Sequence, residues 1–205
     1  MELRIKIDNE EEYQAFLKKL PAYRGIRGRF TSFDITGSVH QDELKDLAEA
    51  LNIKNRRKRI TFLYDRACDI IDKYNEENRI SCRYNSEGIC EDPKHGKKKN
   101  GCCFLCYLQS ECGCPDRNLS CKLYFCDHIC KKFHPLTMED IDLLKLFSWS
   151  QREIIKTNVF VTRRTYINLL CLGSYLLFCM YSVIKFFRLK NLLYIRAFTS
   201  STVKT

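Results

Sequence analysis

The opening residues alternate polar and apolar: Glu2-Leu-Arg-Ile-Lys-Ile7 predicts a half-buried strand. Asp8 or Asn9 can cap a following helix, and Glu10, Glu11 and Glu12 occupy its first turn, where the helix dipole favours acids. Tyr13, Phe16, Leu17 and Leu20 then share one helical face, and Pro21 is expected to stop it. The glycine-punctuated stretch Gly25–Gly37 predicts one or two short strands, one of them including Phe33 and Ile35. A second helix near Gln41–Leu51 places Leu44, Leu47, Ala48 and Leu51 at core spacing.

Residues 58–76 predict one amphipathic helix, with Ile60, Leu63, Ala67, Ile70, Ile71 and Tyr74 facing inward and Cys68 as a packing thiol on the same side. Farther on, Thr137-Met-Glu-Asp140 resembles a capping arrangement ahead of Ile141, Leu143, Leu144 and Phe147. Ser150-Gln-Arg-Glu153 repeats the Ser-x-x-Glu signature. Two short helices separated near Ser148–Ser150 follow, with Trp149 expected as a core anchor at the joint.

Thr165–Ile184 is a run of twenty residues without a charge. At ~1.5 Å per residue it just spans a ~30 Å hydrocarbon core. Asn168, Gly173, Ser174 and Ser182 weaken such a span, as do Tyr166, Tyr175 and Tyr181. Three readings compete: a C-terminal membrane anchor, a helix buried in the body, and a tail acquired by a shift in reading frame. The anchor is the expectation taken forward. Positive charges flank both sides and set no orientation.

Composition places the chain among globular proteins: 205 residues, 45% hydrophobic and 29% charged. Its net charge of +10 is unevenly spread. Residues 1–153 hold 27 Lys and Arg against all 25 Asp and Glu, whereas residues 154–205 hold 8 basic residues and no acid. The body is therefore nearly neutral and the tail strongly basic. Met1-Glu-Leu-Arg-Ile-Lys-Ile-Asp8 lacks the apolar stretch of a secretory signal, so a cytoplasmic, reduced body is expected.

Thirteen cysteines change the picture, because in a reducing compartment such density favours thiolate–metal chemistry over disulfides. Ten lie between Cys82 and Cys130, with His95, His128 and His134 nearby. Zinc takes four soft ligands tetrahedrally, and a Cys-x2-Cys knuckle presents two thiolates from one turn. Cys103-Phe-Leu-Cys106 is such a pair, and Cys121 and Cys126 are its expected partners. Cys102, adjacent to Cys103, points the other way in an extended backbone, which suggests a second cluster from Cys82, Cys90, Cys102 and Cys114. Zinc is the expected metal and an iron–sulfur cluster the alternative, although no ferredoxin spacing is present. Cys130 and His134 could share a helical face, but a nucleophile needs a base oriented by a third group, and none is evident.

Lys54, Arg56, Arg57, Lys58 and Arg59 form a short run that could grip phosphates, or simply a solvated face. Lys94, Lys97, Lys98 and Lys99 make a second basic patch in a glycine-flanked loop. Gly101-Cys-Cys103, followed by Leu119-Ser-Cys-Lys-Leu-Tyr-Phe-Cys126 and preceded by Cys82 and Cys90, resembles a group of uncharacterised cysteine-rich bacterial proteins. That resemblance covers residues 58–160 and implies an organisation without an activity.

The expected fold class is α+β. A small α+β unit at 1–51 is followed by the basic run and amphipathic helix at 52–80 and the cysteine-rich metal-binding module at 81–135. Short helices occupy 136–164, the candidate transmembrane helix 165–184 and a basic tail 185–205. The function expected is a non-enzymatic metal-binding interaction or regulatory protein. An iron–sulfur or thiol-redox protein and a nucleic-acid-binding protein are the alternatives. No small-molecule substrate, catalytic triad or phosphate loop is evident.

Overall fold

A computed structural model describes residues 1–80, 118–125, 130, 131, 133–157, 162–173 and 180. Strand β1 (Glu2–Ile7) leads into helix α1 (Glu10–Tyr23). Asn9 caps α1 by accepting from the Glu12 backbone N–H at 2.9 Å, while the Glu12 carboxylate reaches back to the Asp8 N–H at 2.7 Å. Pro21 does not stop α1, which runs on to Tyr23. In the last turn a proline removes a single hydrogen bond, and the buried face of Tyr13, Phe16, Leu17 and Leu20 holds the helix together.

The short helix α2 (Ile26–Arg29) turns the chain into strand β2 (Ser32–Gly37). The two strands pair in parallel, from Glu2 opposite Ser32 to Ile7 opposite Gly37, so α1 and α2 form the crossover. Helix α3 (Gln41–Asn52) follows. Its last residue completes the sheet: the Asn52 side-chain amide accepts from the Phe33 N–H at 2.9 Å and donates to the Phe33 carbonyl at 2.8 Å. One amide thus takes the place of a third strand on the outer edge of β2.

Helix α4 (Arg56–Glu77) is the spine. Asn55 caps it by accepting from the Lys58 N–H at 3.0 Å. Its buried stripe comprises Ile60, Leu63, Tyr64, Ala67, Cys68 and Ile71; Ile70 and Tyr74 are half-buried. Helix α5 (Leu119–Leu123), a 3-10 helix (Asp142–Leu146), and helices α6 (Trp149–Lys156) and α7 (Arg163–Leu172) complete the described elements. One apolar cluster runs from Ile7 through α1, α3, α4 and α5 to Leu170 of α7. The α+β class therefore holds, with helices dominating a two-stranded sheet.

Two expectations about α6 shift. Ser148, not Ser150, is the cap: its side chain accepts from the Gln151 N–H at 3.2 Å, and Gln151 answers to the Ser148 N–H at 2.8 Å. Trp149 is not a core anchor. It is 63% exposed, because a start at Ser148 turns Ile154 and Ile155 inward instead.

The candidate transmembrane helix is also revised. Among the described residues, no helix is long and apolar enough to cross a membrane. The first half of the 165–184 run forms the ten-residue α7, closed by Gly173 in the left-handed region at φ +63°. Its apolar face belongs to the core: Tyr166, Ile167, Leu169 and Leu170 are all buried. Polar residues that made a poor membrane span serve this docking. Asn168 accepts from Arg57 at 2.8 Å, and the Leu170 carbonyl accepts from the Gln151 side chain at 2.8 Å. Arg163 holds Asp65 of α4 through Nε and Nη2, which donate to both carboxylate oxygens.

A chain ending at Arg164 exposes what those four side chains cover. Each is worth about 1.5–3 kcal/mol of burial, so the sum approaches a typical domain's whole stability. The truncated chain is expected to aggregate and lose its cooperative melt, measured by size-exclusion chromatography and circular dichroism; a soluble chain with an unchanged melt contradicts this docking.

Candidate functional site

The cysteine-rich segment leaves the body at the end of α4 and returns at α5. At the exit, Asn78 donates from its side chain to the Tyr74 carbonyl at 2.8 Å, Arg79 turns left-handed at φ 53°, and the Ile80 N–H reaches the Asn75 carbonyl at 2.7 Å. Ile80 and Phe125 then form a small apolar cluster of their own, backed by Tyr74 and Phe133. The Tyr74 hydroxyl donates to the His134 carbonyl at 3.2 Å. The residues on either side of the segment are therefore clamped together.

Helix α5 is short, yet it is fixed from several directions. Asn118 caps it, accepting from the Cys121 N–H at 3.0 Å. Leu119 is fully buried, and its N–H donates to the Tyr64 hydroxyl at 3.2 Å. The buried Ser120 donates its single proton to the Ile155 carbonyl at 2.6 Å, so the Tyr166 hydroxyl must donate to Ser120. Lys122 pairs with Asp72. Through Ser120, α5 is tied to both α6 and α7.

Of the eight expected metal ligands, Cys121 is described: half-buried on α5, with its backbone N–H held by the cap. Cys82, Cys90, Cys102, Cys103, Cys106, Cys114 and Cys126 lie outside the described residues, as do His95 and His128. Among the described residues, no group of three or more His, Cys, Asp or Glu could hold a metal. Cys130 is exposed and donates to the Phe125 carbonyl at 3.6 Å. Cys68 is buried on α4, and burial pushes its thiol up to about 12. It is a packing thiol.

The basic run divides. Lys54 serves the fold: its ammonium donates to the carbonyls of Gly28 and Leu51 at 3.3 Å each and to that of Thr31, and lies 5.5 Å from the Phe33 ring centroid. Arg57 holds Asn168. Arg56, Arg57, Lys58 and Arg59 do not precede α4 but form its first turn, at the positive end of the dipole. Sequence reasoning missed the company they keep. Arg24 at the end of α1, Arg29 at the end of α2 and Arg152 of α6 gather on the same side. Burial first, then the charges of Arg29, Arg24 and Arg56, lower the pKa of Arg59; burial and Arg152 lower that of Arg24. The run at Lys54–Arg59 announces only Arg56 and Arg59; Arg24, Arg29 and Arg152 join from distant parts of the sequence. Lys94, Lys97, Lys98 and Lys99 lie outside the described residues.

The opposite sign collects beside the C-terminal half of α4. A cleft of about 670 Å³ there is lined by Asp42, Asp46, Asp69 and Asp140, with Arg66 bound to Asp46 at 2.7 Å. Neither a protein-family model, nor a curated protein, nor a solved structure matches the chain.

Two outcomes check these assignments. Native-state alkylation at pH 8 is expected to spare Cys68 and to label it only after denaturation, as read by mass spectrometry. Lys54→Met leaves three carbonyls without their shared donor and is expected to cost about 1 kcal/mol in urea unfolding; an unchanged midpoint contradicts the structural role.

Proposed function

We propose that residues 81–135 form a thiolate-bound metal module, with zinc as its structural ion, and that the protein works as a metal-stabilised interaction or regulatory module. The ligands are Cys103, Cys106, Cys121 and Cys126 for one ion and Cys82, Cys90, Cys102 and Cys114 for a second. The observation that carries the reading is the clamp: Ile80, two residues before Cys82, packs on Phe125, one residue before Cys126. Cys121 stands within the same closure on a helix whose cap and core contacts fix its backbone. Ten cysteines in the 49 residues from Cys82 to Cys130 greatly exceed what packing needs. Between Cys82 and Cys114 the sequence offers only Tyr84, Ile89, Phe104, Leu105, Tyr107 and Leu108 as large apolar side chains, so metal binding supplies folding free energy there. Thiolates serve zinc and iron–sulfur clusters alike, and zinc is preferred because no ferredoxin spacing is present and small thiolate-bound modules use it in place of a core.

Elemental analysis of the full chain, purified without air, tests this. Eight thiolates at four per ion lead to about two zinc ions per chain. Cys121→Ser is expected to release one of them and open its partner cysteines to alkylation, whereas Cys68→Ser and Cys171→Ser keep the full complement. Metal-free protein that is fully folded refutes the module. Iron, with a brown absorbance near about 400 nm, replaces zinc by the iron–sulfur alternative.

A further inference from the structure

We propose that the face built from the end of α1, α2, the first turn of α4 and α6 binds single-stranded nucleic acid, with arginines on the phosphates and Trp149 stacking on a base. Five guanidiniums make up this face: Arg59 stands near Arg24, Arg29 and Arg56, and Arg24 near Arg152. Lys54, just ahead of α4, donates to the Gly28 and Thr31 carbonyls on either side of Arg29, and Arg24 donates to the Phe147 carbonyl ahead of α6. Among the described residues none of the five has a carboxylate within 4.0 Å, although Arg66 and Arg163, elsewhere on the surface, are both paired.

The fold assembles this cluster at a cost. Gly28 packs so closely that a Cβ there would lie 1.7 Å from the Tyr23 carbonyl oxygen, which folds α2 tightly back on the end of α1, and Arg29 and Arg24 both act on Arg59. Arg24 donates one N–H to the Phe147 carbonyl at 2.6 Å, which places it at the entrance to α6 and leaves its other N–H groups for a ligand. Arg56 lies against Gly173, where the C-terminal dipole of α7 offsets part of its charge. Arg56 and Arg59 nevertheless stand at the positive end of α4, where acids are favoured and none is present. An arrangement that breaks a local rule and gathers like charges is expected at a functional surface.

A polyanion relieves both penalties, since each phosphate neutralises a guanidinium and meets the helix dipole favourably. The choice of a single strand rests on Trp149. It is exposed, lies three residues before Arg152 on α6 and therefore on the same side, and follows the Phe147 carbonyl that holds Arg24. An exposed aromatic ring next to an arginine stacks on an unpaired base but has no base face to meet on a duplex.

Trp149 is the chain's single tryptophan, so intrinsic fluorescence reads this face directly. The full chain is titrated with an oligothymidylate of about twelve nucleotides, a span typical of single-strand sites. Binding with quenching of Trp149 is expected, with log K falling against log salt by about 0.7 for each phosphate held. Arg56→Ala and Arg152→Ala are each expected to weaken binding about three- to ten-fold and to flatten that salt slope, while Lys73→Ala, beside the acidic cleft, changes neither. No binding by the unaltered chain overturns the proposal, and so does equal affinity in both arginine variants, which would assign binding to the basic tail. Binding without quenching of Trp149 excludes this face. Equal binding of a duplex, or displacement of the strand by inorganic tripolyphosphate at equal charge, overturns the single-strand assignment. The unaltered chain alone decides four of these outcomes, so a variant that fails to fold leaves the test intact.

Discussion

The apolar stripe of α4 is the constraint on which the other elements depend. Ile60, Leu63, Tyr64, Ala67, Cys68 and Ile71 recur at helical spacing within a helix of 22 residues, and α3, α5, the 3-10 helix and α7 all pack on α4. A helix of that length is about 33 Å long, comparable to a small domain. The two-stranded sheet could not stand alone, because a strand pair offers one small face for burial. It is backed by α1 and α3, which reach the same core. Likewise α5, at five residues, is far below the length at which an isolated helix is stable. Its order comes from Leu119 in the core and from the Ser120 hydroxyl between α6 and α7.

Where spacing alone decided, the sequence was legible. Tyr13, Phe16, Leu17 and Leu20 of α1, and Leu44, Leu47 and Leu51 of α3, are buried as their periodicity requires. Where two solutions satisfied the same pattern, it was not. Ser148-x-x-Gln151 and Ser150-x-x-Glu153 both fit a capping box; tertiary packing of Ile154 and Ile155 selects the first and turns Trp149 outward. The parallel pairing of β1 with β2 had no local signature, because the crossover through α1 is a tertiary choice. Thr165–Ile184 shows the limit of an uncharged run: apolar length does not separate a membrane span from a core helix. Gly173, Asn168 and Tyr166 carried the distinguishing information, and each proves to be a cap or a hydrogen-bonding group of a docked helix.

The candidate sites divide along the same line. The proposed thiolate ligands are candidates from composition and spacing, since thiolate chemistry is local to the residue type. The clamp of Ile80 on Phe125 is not, because it joins residues 45 positions apart through two side chains without a pattern. The arginine face is less legible still. Arg24, Arg29, Arg59 and Arg152 come from four elements, and no stretch of sequence contains more than part of the cluster.

Charge along α4 links these features. Its N-terminal turn carries four cations and no acid, whereas its last three turns carry Asp69, Asp72, Glu76 and Glu77. A helix arranged for its own stability would show the reverse order, since acids favour the N-terminus and cations the C-terminus by about 0.3–1 kcal/mol each. Within α4 Lys73 pairs with Glu77 at 4.0 Å, and the salt bridges of α4 to other elements run from Asp65 to Arg163, from Arg66 to Asp46 and from Asp72 to Lys122. These bridges tie the middle and end of α4 to its neighbours and leave its first turn without a carboxylate among the described residues. The inversion therefore separates the two ends of the spine by sign, with anions attracted to one end and the cysteine-rich segment closed at the other.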